Sequence, residues 1–306
     1  MTSALSVTGL TKRYGDRTVV DHLDIEVPRG VVAGFVGPNG AGKTTTMAML
    51  LGLVRPSAGT GTVLGSSIED PAVYLPHVGA LIETPAFYPA LSGVQNMRVF
   101  ATVGGHDTES IPALLEQAGL HGRGDDRYRD YSLGMKQRLG IAAALLGDPD
   151  LLILDEPANG LDPEGVREMR ALIGELAGTG RTVLVSSHDL SELEQVCDWL
   201  VLIDTGRSLY QGATRDLLDG ASAGLAVVPR RSDDHDELRA LLLARGLTVH
   251  GHGERLVVDT SGTDVGDLAA TVNEAAFGAG IVLIELSPLR TTLEDRYLSM
   301  VKAGGR

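Results

Sequence analysis

The sequence predicts an α/β fold in two domains, and three observations carry that expectation. Apolar runs that close on polar or acidic residues read as buried strands of a parallel sheet. One of them passes through a glycine-rich stretch into a helical pattern. A run of small residues, Gly220-Ala221-Ser222-Ala223-Gly224, then reads as a linker ahead of a shorter, separately patterned portion. A length of 306 residues suits two ordinary domains, and an apolar share of 43% is enough to bury a proper core.

Composition narrows the function. A formal charge of −14 argues against nucleic acid or an anionic lipid surface as the main partner. The single cysteine, Cys197, excludes an internal disulfide framework; it reads as a core residue of a periodic apolar helix in a reducing compartment. No apolar run approaches the roughly 20 residues that span a bilayer, and residues 1–15 lack the charged-then-apolar order of a secretion signal. The expectation is a cytoplasmic chain, soluble by itself.

In chain order, Leu5-Ser6-Val7-Thr8-Gly9-Leu10 and Leu23-Asp24-Ile25-Glu26-Val27 alternate as half-exposed antiparallel strands do. Tyr14, in the short connection between them, either stacks on an adenine ring or packs under its own hairpin. Val31-Val32-Ala33-Gly34-Phe35-Val36 is a buried strand, and Thr46-Met47-Ala48-Met49-Leu50-Leu51 a helix. Between them lies Gly37-Pro38-Asn39-Gly40-Ala41-Gly42-Lys43-Thr44-Thr45, in the order a phosphate-binding loop needs. Glycines without Cβ atoms let the backbone fold around a polyphosphate and aim its N–H groups inward, and the helix N-terminus adds partial positive charge. In such a loop Lys43 reaches the β- and γ-phosphates and the Thr44 hydroxyl ligates magnesium.

Past the turn-rich break Arg55-Pro56-Ser57-Ala58-Gly59-Thr60-Gly61, Thr62-Val63-Leu64 reads as a further strand. Val78-Gly79-Ala80-Leu81-Ile82-Glu83 is a strand whose closing carboxylate faces a metal or ends in solvent. A helical insert follows over about 84–147, where Ile111, Leu114, Leu115 and Ala118 share one face and Leu139, Ala142, Ala143 and Leu146 another. Leu151-Leu152-Ile153-Leu154 closes on Asp155 and Glu156, which point opposite ways and can serve a metal and an attacking water. Thr182-Val183-Leu184-Val185-Ser186-Ser187 ends at His188, at the edge where open parallel sheets place ligands.

Over residues 1 to about 215 these motifs, with Tyr131-Ser132-Leu133-Gly134-Met135-Lys136-Gln137 and Asn159-Gly160-Leu161-Asp162, resemble the nucleotide-binding subunits of ABC transporters. The resemblance implies a P-loop NTPase with a RecA-like core, an antiparallel β subdomain and the helical insert. It places Tyr14 at the adenine, Glu83 where the family usually has glutamine, Asp155 beside Mg²⁺, Glu156 as general base and His188 as the switch histidine. Ser132 and Gly134 are the signature residues that touch a partner's γ-phosphate, and Asp162 belongs to the loop that crosses the dimer interface. Leu133 and Met135 replace the family's glycine and glutamine. The stretches around Glu83 and Ser132 are similar to the branch that exports bacitracin, lantibiotics and related drugs.

What this implies is an ATPase of two head-to-tail copies with ATP sandwiched between them. Motion is handed to a separate integral-membrane permease, with the chain peripheral on the inner membrane face and no nucleic acid partner. Two other classes stand beside it: a soluble ABC-type ATPase acting on ribosomes or DNA, and a regulatory module that binds nucleotide without turnover. Residues 1–219 form the expected ATP-binding domain. Residues 225–306 form a small α+β domain whose order, βαββαβ, suggests a ferredoxin-like fold. Its His250 and His252 read as an exposed strand end in preference to a metal pair.

Overall fold

The computed structural model describes residues 3–82, 86–219, 224–252, 255–260, 263–289 and 292–304. Contacts divide the chain into a large unit, Met1–Thr214 with Met300–Arg306, and a small unit, Arg215–Ser299. The large unit begins with β1 (Ser3–Tyr14) and β2 (Arg17–Pro28), followed by β3 (Val32–Val36), α1 (Lys43–Leu50), β4 (Ala58–Val63), β5 (Ser66–Ser67), α2 (Pro71–Tyr74) and β6 (Val78–Leu81). Next come α3 (Gly93–Gly104), α4 (Ile111–Gln117), α5 (Leu133–Ala144), β7 (Leu151–Leu154), α6 (Pro163–Gly178), β8 (Thr182–Ser187), α7 (Leu190–Glu194), β9 (Trp199–Asp204) and β10 (Arg207–Ala213).

Two sheets build the large unit. One is antiparallel in the order β2-β1-β4-β5; the other runs β10-β9-β3-β8-β7-β6 and is parallel except for β10. In β2 the alternation is visible, with Leu23, Ile25 and Val27 buried and Asp24 and Glu26 exposed. By contrast β3, β7 and β8 are buried along their whole length, which is why they are continuous apolar runs. One core joins Leu5, Leu23 and Val63 of the outer sheet to Phe35, Ile153 and Leu184 of the parallel sheet and Met47 and Leu50 of α1.

A second core holds the helical insert, with Met97 and Ala101 from α3, Ile111 and Leu115 from α4, and Leu139 and Ala142 from α5. Ser92 opens α3 through a reciprocal cap: its Oγ accepts from Gln95 N, and its own N donates to Gln95 Oε1. Cys197 is buried but lies in the turn between α7 and β9, not in a helix, which corrects the sequence expectation. Its N–H bonds to Leu193 O as α7 unwinds, so the apolar spacing there marks burial of a turn. Among the described residues no helix is long and apolar enough to cross a membrane.

The small unit takes in all but the first residue of α8 (Thr214–Asp219), then β11 (Gly224–Pro229), α9 (His235–Ala244), β12 (Val249–His252), β13 (Arg255–Asp259), α10 (Val265–Gly278), β14 (Leu283–Leu289) and most of α11 (Leu293–Gly304). Its strands pair antiparallel in the order β12-β13-β11-β14, so β13 lies between the two strands that α9 connects. Leu225, Val227, Leu256 and Val258 pack with Leu238, Leu242, Leu268 and Val272 in a core of their own. Among the described residues no group of three or more His, Cys, Asp or Glu is placed to hold a metal, and the side chain of His252 lies outside them.

Candidate functional site

Strand register assembles the site. Val36 of β3 lies opposite Ser187 of β8, and Val185 of β8 opposite Leu154 of β7. Gly37, His188 and Asp155, each the first residue past a strand end, therefore gather at the carboxyl edge of the parallel sheet, and Ser186 stands beside Asp155. This edge is where open α/β sheets hold ligands.

The loop closes tightly after β3. A Cβ on Gly37 would come within 2.4 Å of Ile203 O, so no larger residue fits there. Gly40 and Gly42 have φ of +83° and +103°, which glycine adopts freely. Ala41 is buried; its N–H donates to Pro38 O and its carbonyl accepts from Gly206 N. Gly42 caps α1 with no side-chain hydrogen bond, so the first N–H groups of the helix are not consumed by a cap.

Two polar chains converge beneath the loop. The buried Lys43 Nζ donates to Gly37 O at 2.7 Å and lies 3.1 Å from Glu156 Oε1. Glu156 Oε2 lies 2.6 Å from His188 Nδ1. In the second chain Thr44 Oγ1 donates to Asp155 Oδ2 at 2.7 Å, and Ser186 Oγ donates to Asp155 Oδ1 at 2.5 Å. The Glu156 N–H donates to that same Ser186 Oγ at 2.9 Å. Behind His188, the Ser191 hydroxyl holds the Asp189 carboxyl below its usual range, whereas burial pushes Glu192 up.

Pro38, Asn39, Gly40, Gly42, Lys43, Thr44, Thr45, Glu156 and His188 line one cleft of about 520 Å³. Tyr14 ends β1 and is 51% exposed with Lys12 Nζ 4.9 Å from its ring centre, so the reading in which it packs under its hairpin is corrected. Ser132 and Gly134 do not join this cleft. They line a second groove, about 820 Å³, with Gly160, Leu161 and Asp162. Ser132 Oγ caps α5 by accepting from Met135 N, and Asp162 Oδ1 caps α6 by accepting from Gly165 N. Leu133 leans on the neighbouring loop, its Cδ2 3.1 Å from where a Cβ on Gly160 would stand. Glu83 lies outside the described residues.

Arg17, Val19 and Ser186 fall outside the sequence expectation. Arg17 lines the cleft from β2, across the hairpin from Tyr14, and no local pattern marks it. Ser186 had only a weak signal, as one of two serines that close the apolar run Val183-Leu184-Val185 ahead of His188. Chemically the cleft offers unstrained glycine backbone, a buried ammonium and hard oxygen donors. Thr44 and Asp155 are the donor type that suits Mg²⁺, which takes few protein ligands and fills its shell with water and phosphate.

Comparison with known proteins gives the family. The ABC transporter family model matches residues 20–159, and a model described as a domain of unknown function matches residues 226–294. The chain is 35% identical over 311 residues to the bacitracin transport ATP-binding protein of Enterococcus faecalis, covering 100% of this chain and 98% of that protein. It is 41% identical to the lantibiotic transport ATP-binding protein of Streptococcus pyogenes, covering 68% of this chain and 90% of the other. A solved ATP-binding subunit of an ABC transporter superposes with a TM-score of 0.63 at 31% identity, over 71% of this chain and 95% of that one. With the phosphate loop, the paired acids and the parallel sheet in place, the chain belongs to the ABC transporter family as an ATP-binding subunit, an ATPase.

Proposed function

We propose that this ATPase powers a separate membrane permease that exports a peptide antibiotic or related drug, the cargo class named for its bacitracin and lantibiotic relatives. The observation that carries the catalytic part is the Glu156 carboxylate, with one oxygen 3.1 Å from Lys43 Nζ and the other 2.6 Å from His188 Nδ1. Set between the cation that holds the terminal phosphates and the histidine that steadies the γ-phosphate, Glu156 takes the proton of the attacking water. The water oxygen bonds to the γ-phosphorus, the bond from that phosphorus to the bridging oxygen breaks, and ADP leaves with the electron pair. Lys43 offsets the charge that gathers on those oxygens. Thr44 and Asp155 are the residues that would hold Mg²⁺, which when bound would supply Lewis-acid neutralisation of the phosphates. Glu83, two residues past the end of β6 in sequence, is proposed as a further metal-side acid and as a sensor of the permease.

Ser132 and Gly134 line a groove apart from their own phosphate loop, which supports their serving the ATP of a second, head-to-tail copy. Asp162, in the same groove, then belongs to the surface between copies. Residues 225–306 are read as an accessory domain that tunes dimer contacts or answers the permease without doing chemistry, and the working position is the cytoplasmic membrane face, through the permease.

The test is genetic. Deleting the gene is expected to raise sensitivity to peptide antibiotics, and a wild-type copy, but not a Lys43→Ala copy, is expected to restore resistance. Full resistance with Lys43→Ala refutes the proposal.

A further inference from the structure

We infer that Ser186 is a positioning residue that sets both acids of the ATP site at once, an inference that rests on the roles proposed for Asp155 and Glu156. Three features of its environment point there. Ser186 is fully buried near the end of β8, and the parallel register of β7 and β8 delivers it beside Asp155. A serine hydroxyl has one hydrogen to donate and lone pairs to accept with, and both capacities are used. The hydrogen goes to Asp155 Oδ1 at 2.5 Å, while a lone pair receives the Glu156 N–H at 2.9 Å.

The first bond orients the metal-side acid. Asp155 Oδ1 is occupied by Ser186 and Oδ2 by Thr44, so the carboxylate plane is set by hydroxyls from β8 and from α1. The second bond holds the backbone of the water-side acid. Glu156 has φ of +50°, in the left-handed region that residues with a Cβ seldom enter. That turn is what sends the Glu156 side chain toward Lys43 and His188 directly after Asp155 has pointed toward Thr44. Donating its N–H to Ser186 satisfies the backbone in that conformation. One hydroxyl therefore ties the direction of Asp155 to the direction of Glu156, and an alanine at this position releases both.

The experiment uses the full chain with Ser186→Ala, Ser186→Thr and Ser186→Val, each confirmed folded by circular dichroism. Steady-state ATPase gives kcat and KM, and Mn²⁺ binding to the ATP-loaded chain, followed by electron paramagnetic resonance, gives a readout independent of turnover. Loss of a group that orients a metal ligand typically lowers affinity or activity by about 10- to 100-fold. Ser186→Ala and Ser186→Val are expected to lose kcat and Mn²⁺ affinity on that scale, with KM for ATP moving by less than about 3-fold. Ser186→Thr, which keeps the hydroxyl and matches valine in shape, is expected to recover most of both. Wild-type kcat and Mn²⁺ affinity in Ser186→Ala overturn the inference, as does a Thr variant that folds yet behaves as Val does. Should Thr not fold, the Ala variant decides alone, because it only removes an oxygen. Asp155→Asn and Glu156→Gln run in parallel separate the two failures. If they are inactive while Ser186→Ala is normal, only the positioning role falls; if they too are normal, the proposed catalytic roles fall first.

Discussion

Replacing Glu156 by glutamine tests the heart of the site. The carboxylate lies between Lys43 Nζ, an ion pair at 3.1 Å from one oxygen, and His188 Nδ1, 2.6 Å from the other. An amide of the same size carries no charge, so the ion pair with Lys43 Nζ is lost while Lys43 keeps its bond to Gly37 O. The amide also cannot take a proton from water. Positioned general-base catalysis contributes about 10²- to 10⁴-fold, so kcat is expected to fall by that factor, roughly 3 to 5 kcal/mol of barrier. ATP binding moves the other way, because a negative charge facing the phosphates has been removed. A gain of up to about 10-fold in affinity, ~1.4 kcal/mol, is expected. Isothermal titration calorimetry measures the binding, single-turnover hydrolysis measures the chemistry, and size-exclusion chromatography reports accumulation of an ATP-bridged dimer. A variant that turns over within about 3-fold of wild type refutes the reasoning.

Tyr14→Ala is expected to weaken ATP by roughly the 1–3 kcal/mol of a base–aromatic stack while leaving tripolyphosphate binding unchanged; equal loss for both ligands, or none, removes the ring from the adenine. Burial raises the Cys197 thiol well above its ordinary 9.0. The unfolded thiol ionises from about pH 9 while the folded one keeps its proton, so its contribution to stability is complete below pH 9 and is lost by ~1.4 kcal/mol per pH unit above it. Urea melts at pH 8 to 10 should show this slope, and Cys197→Ala should flatten it. A chain ending at Gly220 is expected to fold and bind ATP, because the cores around Phe35 and Leu225 share no residue; failure to bind nucleotide would mean that the regions depend on one another to fold.

Much of the site was legible because its parts sit at the ends of single elements. A glycine loop between a strand and a helix, an apolar run closing on Asp155-Glu156, and another closing on His188 each carry a local signature of period and punctuation. The same holds for β11 to β14 and their two helices, whose apolar spacing gives both type and order. Less was legible where burial is uneven. The spacing around Cys197 looks helical, yet α7 stops at Glu194 and the cysteine fills a turn. Tyr14 left two readings open, since a lone aromatic beside a hairpin has the same pattern whether its ring is covered or bare.

By itself, then, the chain's order of residues determined which groups could do chemistry and on which kind of element each stands, because hydrophobic period, glycine and capping residues act within a few positions. Only the tertiary structure decided which groups meet. The pairing of β3 with β8 and of β8 with β7 brings Gly37, Asp155 and His188, more than a hundred residues apart at the extremes, to one edge. It also inserts Ser186 between the two acids and leaves Ser132 and Gly134 on a different groove from their own phosphate loop. Register between strands is set by how whole faces pack, and a one-residue slip would turn every side chain to the other face. No window of sequence contains that information, because it belongs to the core the strands share.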